Sequence, residues 1–110
     1  MRWFGVLALA VSACAYVEAT SRPYDGVQQF MPVSPNAVRI LPGEPKERHD
    51  RLGEVLLNIS VDPLPPPEDI GQRLREEAAK LGATGVYIVR DSTTSRDGHQ
   101  VVGIAIRFRQ

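Results

Sequence analysis

From Asn36 onward the chain alternates between two kinds of apolar spacing, and each change of spacing marks an element. Gly53 to Val61 (GEVLLNISV) sets Val55, Leu57, Ile59 and Val61 on one side at strict period two, which predicts a strand. Ala37 to Leu41 (AVRIL) predicts a shorter strand, closed by the turn pair Pro42-Gly43. The charged EPKERHDR that follows reads as a solvated loop. Val101 to Phe108 places Val102, Ile104, Ile106 and Phe108 on one side, with Val101, Gly103, Ala105 and Arg107 on the other. Thr84 to Arg90 (TGVYIVR) is apolar on both sides of its pleat, as expected of a strand covered on each face.

Between these strands the period changes to that of a helix. DPLPPPED breaks the sheet pattern and supplies prolines for a first turn, where a missing N–H costs nothing. Glu68 and Asp69 suit the positive end of a helix dipole. Ile70, Leu74, Ala78 and Leu81 share one face, and Gly82 is expected to end the helix in a left-handed cap. Glu76 and Lys80 stand at i,i+4 spacing for an ion pair, and Glu77 falls at the margin of the apolar stripe, paired with a nearby Arg. The expected fold is therefore α+β: strand, strand, helix, strand, strand, a small four-stranded sheet with one helix packed on one face. Tyr87 and Val89, with Val101 and Ala105, are left to the other face, which the preceding chain or another protein must cover.

The amino-terminal third has a different pattern. After Arg2, Trp3 to Ala13 is an uncharged and mostly apolar run of 11 residues. A helix needs about 20 such residues to span a bilayer, so this run has the length of a secretory signal core instead. Val11-Ser12-Ala13-Cys14 reads as a bacterial lipobox: an aliphatic residue, two small ones, then cysteine. Small side chains admit the peptidase, and the Cys14 thiol accepts a diacylglyceryl group before cleavage leaves it first in the chain. Residues 1–13 are accordingly expected to be a lipoprotein signal peptide, 14–35 an acylated cysteine and partly extended tether, and 36–110 the domain. Ala13-Cys14-Ala15 also fits the A-x-A pattern of ordinary secretion, which would discard the thiol. Ala15, in place of an aspartate after the cysteine, points to the periplasmic face of the outer membrane, with inner-membrane retention or secretion as alternatives.

Composition narrows the function classes. Lys+Arg and Asp+Glu both number 13, a balance that argues against a phosphate-neutralising nucleic-acid groove. One cysteine makes no internal disulfide and no soft-metal site. His49 beside Asp50, and His99 two residues after Asp97, would form a two-His, two-Asp metal cluster only if distant loops met. Ser92, Thr93, Thr94 and Ser95 lie near Asp91, Asp97 and His99, a list of triad types on one polar hairpin loop with no scaffold to fix their geometry. The reading is thus of no catalytic, cofactor or metal residues, with a small hydrolase or metal-binding protein as the lesser alternative.

VRIL, RLGEV, LREEAAKLGATGVYIV and GIAIRF, taken together over residues 36–108, resemble small bacterial domains of the YbjQ-like kind and the lipoprotein that senses envelope stress for the Rcs relay. That resemblance implies a compact sheet-and-helix unit acting as a periplasmic interaction module. The stress-sensing lipoprotein carries domain cysteines, which this chain lacks. The expected protein is a membrane-anchored lipoprotein, held to a lipid bilayer through Cys14, that contacts an envelope protein in stress sensing or assembly. Self-association as a structural envelope component is the alternative.

Overall fold

The computed structural model describes residues 15–61, 63–94 and 98–109; the expected signal peptide and Cys14 lie outside them. In chain order the elements are β1 (Val17–Pro23), a 3-10 turn (Pro35–Ala37), β2 (Arg39–Leu41), β3 (His49–Ile59), α1 (Pro67–Lys80), β4 (Gly85–Thr94) and β5 (Gly98–Phe108). The strands form one mixed sheet in the order β1-β3-β5-β4-β2, in which only β4 and β2 run parallel. One helix covers one face of this sheet, so the α+β layer pair stands, with five strands rather than four.

The fifth strand comes from the stretch expected to be a tether. β1 pairs with β3 from Val17 opposite Ile59 to Pro23 opposite Gly53. Its helix-side residues, Val17, Ala19 and Ser21, are half-buried, while Glu18, Thr20 and Arg22 are exposed. Inward side chains this small give almost no hydrophobic alternation, which is why the strand is hard to read. What holds it is the edge of β3, whose backbone N–H and C=O groups would otherwise lack partners. The chain then crosses the end of the helix, where Val27, Phe30 and Val33 pack against the core and the Val33 N–H donates to the Ala79 carbonyl at 3.0 Å. Residues 17–34 are thus part of the domain and not a spacer.

Helix α1 begins with Pro67 in its first turn, has Glu68 and Asp69 at its positive end, and closes at Gly82 with φ 79°. Leu74 and Ala78 are buried as expected, with Ile70 and Leu81 at the margins. The ion pairs meet expectation in part: Glu77 lies beside an Arg, while the Glu76–Lys80 pair does not form. Glu77 is fully buried, not on the rim; its carboxylate accepts from Lys80 Nζ at 2.6 Å and lies 3.7 Å from Arg73. Glu76 takes Arg73 at 2.9 Å in place of Lys80, and that hydrogen bond holds its carboxyl below the usual range. A buried carboxylate draws in the nearest long cation, and Lys80 reaches it along its aliphatic stem.

The core lies between helix and sheet: Val55, Leu57 and Ile59 of β3, Val101 and Ala105 of β5, Val86 of β4, and Leu74, Ala78 and Ala79 of α1. Val101 and Ala105 therefore belong under the helix and not on the outer face. Two bulges adjust the alternation. Leu52 is the extra residue between Arg51 and Gly53 and drops into the core; Val89, between Ile88 and Arg90, is left exposed. Both polar stretches read as loops contribute to strands, since His49 to Arg51 opens β3, residues 91–94 extend β4 and residues 98–100 begin β5.

Candidate functional site

The outer sheet face carries the features that the core does not absorb. Strand alternation and register put Leu56 opposite Val102, Glu54 opposite Ile104, Ile104 opposite Tyr87, and Asn58 opposite Gln100 on this side. Leu56, Val102 and Ile104 are half-buried among their neighbours, and Gln100 donates to Asn58 Oδ1 at 3.1 Å beside them. The upper part is closed from within. Leu41, Ile106 and Phe108 converge over Gly85, where a side chain would meet Leu41 Cδ1 at 3.1 Å. The lower part is an apolar stripe rimmed by Glu54, Asn58, Gln100 and Arg90.

A polar cluster borders that stripe at the end where β3 begins. Glu44 accepts from Arg51 at 2.7 Å and meets His49 Nε2 at 3.1 Å, and these contacts, Arg51's first, hold its carboxyl below the usual range. His49 Nδ1 meets the Glu47 carbonyl at 2.6 Å, so each ring nitrogen faces an oxygen acceptor. Beneath lies Tyr87, only 3% exposed. Its hydroxyl is electrostatically coupled to Arg51 and Glu44 but makes no hydrogen bond of ordinary geometry. Burial raises the pKa of this phenol and of Tyr24, where the Glu54 charge adds to the effect. Asp50 is committed elsewhere, accepting from Arg109 at 2.6 Å.

An unpartnered buried hydroxyl loses its hydration without return. Tyr87→Phe is therefore expected to stabilise the domain by about 1 kcal/mol at neutral pH, read by chemical denaturation. The sign at high pH follows from the raised pKa. The unfolded phenol ionises before the folded one, so stability falls as pH rises above about 10. The Phe variant should lose less in that range, and equal losses in both proteins would exclude Tyr87 as the source.

The other candidate groups are not brought together. His49 pairs across from Phe108 and His99 from Ile59, so the two imidazoles stand at opposite ends of β3, about 30 Å apart. Among the described residues no three His, Cys, Asp or Glu side chains are grouped to hold a metal. His99 does meet Asp91 through Nε2. Ser92 follows Asp91 on the strand and points to the opposite face, so it cannot complete a triad with that pair. Asp97 and Ser95 lie outside the described residues, as does Cys14. Sequence reasoning missed Glu44, Arg51 and Tyr24, which a turn and a bulge assemble and which no periodicity marks. The concavities nearby are open troughs, such as one of about 470 Å³ lined by Phe30, Asp50, Thr84, Arg107, Phe108 and Arg109. None of the helices among the described residues is long and apolar enough to cross a membrane. Comparison with protein-family models, with curated proteins and with solved structures finds no match.

Proposed function

We propose that this chain is a bacterial lipoprotein, acylated at Cys14 and anchored to the periplasmic face of the outer membrane. Its domain acts as a protein-interaction module in envelope stress sensing or assembly. The observation that carries the reading is the apolar run ending in Val11-Ser12-Ala13-Cys14, with the only cysteine at the position a lipobox requires. Acyl chains contribute about 0.8 kcal/mol per buried methylene, enough for a multiply acylated terminus to stay on a bilayer. The YbjQ-like lineage we propose for the domain rests on its Leu52-Gly53-Glu54-Val55 strand and the Leu81-Gly82-Ala83 end of its helix. The partner's footprint on this reading is the stripe of Leu56, Val102 and Ile104 with its amide and charged rim.

Globomycin treatment with intact-mass analysis tests the anchor. The wild type should carry a diacylglyceryl mass at Cys14 and fractionate with membranes, and Cys14→Ser should lose both. A purified, unmodified product beginning at Tyr16 would replace the anchored protein with a secreted one. Photocrosslinking from position 56 or 102 in intact envelopes should recover one specific partner, and a random profile counts against the interaction role. Self-association has one structural feature in its favour, the seven-residue outer edge of β1. A monomer at high concentration in sedimentation excludes that version.

A further inference from the structure

Tyr16, Val61 and Leu64 are 53%, 41% and 57% exposed, and all three stand at one end of the sheet. Hydrogen bonds fix them there. The Ser60 N–H donates to the Tyr16 carbonyl at 3.0 Å, and the Tyr16 N–H donates to Ser60 Oγ at 2.9 Å. Ser60 Oγ in turn donates to the Pro63 carbonyl at 2.6 Å, and Pro65 lines a groove together with Ala15 and Tyr16. The loop after β3 is thereby tied to the start of the described chain, with Leu64 between its two attached prolines. This is also the end from which residue 14 leaves. Cys14 precedes Tyr16 by two residues, so covalent geometry keeps their Cα atoms within about 7 Å.

We infer that this end of the domain is a membrane-docking surface: Tyr16, Val61 and Leu64 insert into the bilayer interface beside the acylated Cys14 and hold the sheet in a fixed orientation. The inference rests on the lipoprotein reading and adds to it a seat for the domain. Because β1 begins at Val17, an anchor at Cys14 leaves almost no slack, and whatever side chains occupy this end are brought to the lipid surface. A tyrosine flanked by aliphatic residues suits the interfacial layer, where the ring is buried and the hydroxyl stays wet. Asp69 and Arg73 line the groove beside Tyr16 with opposite charges, and Glu68 stands in the first turn of the same helix, so charge gives no net attraction to anionic lipid. The seat is therefore apolar and the lipid it takes is zwitterionic. It also sets the direction of the rest of the molecule. The Glu44–His49–Arg51 cluster lies at the opposite end of β3, about 30 Å along the strand from the seat, and the outer face stands between.

The test uses the full chain, processed in its host membrane and reconstituted into phosphocholine vesicles. Loss of residues 1–13 removes Trp3, the only tryptophan, so Leu64→Trp places a single indole in the seat. Its emission should shift to the blue and be quenched by brominated phosphocholine, equally with and without added phosphoglycerol. Met31→Trp, at a position 84% exposed near the other end of the helix, should remain unquenched. An acylated, vesicle-bound protein with an unquenched indole at 64 overturns the docking and leaves the anchor intact. A product without acyl mass that also stays off vesicles overturns both. Quenching that requires phosphoglycerol overturns the apolar seat, and shielding that grows with concentration in the absence of vesicles assigns the patch to a second copy.

Discussion

Gly53→Ala is expected to cost about 3 kcal/mol and to release β1 from the sheet before anything else moves. A Cβ at position 53 would stand 2.3 Å from the Arg22 carbonyl oxygen and 2.8 Å from Pro23 Cα. Both are backbone atoms of β1, so no side-chain rotation relieves the clash and the strand itself must give way. The bulge at Leu52 is what brings the two backbones this close, and the Tyr24 N–H seals the approach by donating to the Leu52 carbonyl at 3.0 Å. Hydrogen exchange in the Ala variant should show lost protection along the whole of β1 and on to Tyr24, while β5 keeps its own. A loss below about 0.5 kcal/mol, or loosening spread over the whole sheet, would mean the contact is not what fixes β1.

The same substitution bears on orientation. β1 is the only element between the proposed anchor and the body of the domain, so freeing it turns a rigid connection into a flexible one. In vesicles the Gly53→Ala protein should stay bound through Cys14 while an indole at position 64 is quenched less. Stability and geometry would then separate in one variant, because acylation depends on the leader and not on the sheet.

What was legible in the sequence follows how strongly each element's own side chains announce it. β3 could be read because Val55, Leu57 and Ile59 are large, apolar and strictly alternating, and all three are buried. α1 could be read because Pro67, the acidic first turn and Gly82 punctuate a clear apolar stripe. β1 could not, since Ala19 and Ser21 face inward and the strand exists through β3's backbone and not through its own hydrophobicity. The burial of Glu77 was also hidden: its stripe position is marginal, and only the packing decides that Lys80 folds over it. For the outer face, alternation assigned Tyr87 correctly. It sent Val101 and Ala105 to the wrong side because the face of β5 that meets the helix holds the smaller residues. The Glu44–His49–Arg51 cluster depends on a loop turning back over the sheet, a long-range event that no local pattern encodes.

That small-residue face of β5 leads to the second large effect. Leu74 is the principal helix side chain in the core, and its Cδ1 lies 3.3 Å from where a Cβ on Gly103 would stand, with Val86 Cγ2 at 3.1 Å. The glycine is the socket and the leucine fills it. Leu74→Ala should cost about 2–5 kcal/mol, since β5 cannot move inward while hydrogen-bonded on both sides and a cavity must remain. A loss under about 0.5 kcal/mol would place Leu74 outside the core. Gly103→Ala alone should destabilise the domain by overpacking, by about 1–3 kcal/mol. In the double variant the new methyl occupies space that the shortened side chain vacates, so the combined loss should be smaller than the two single losses added. Val86 limits the relief, because its Cγ2 stays close whatever residue occupies position 74. Strict additivity in the denaturation cycle would mean that helix and β5 pack independently here, and the fit of Leu74 into the glycine gap would no longer explain how α1 is held on this sheet.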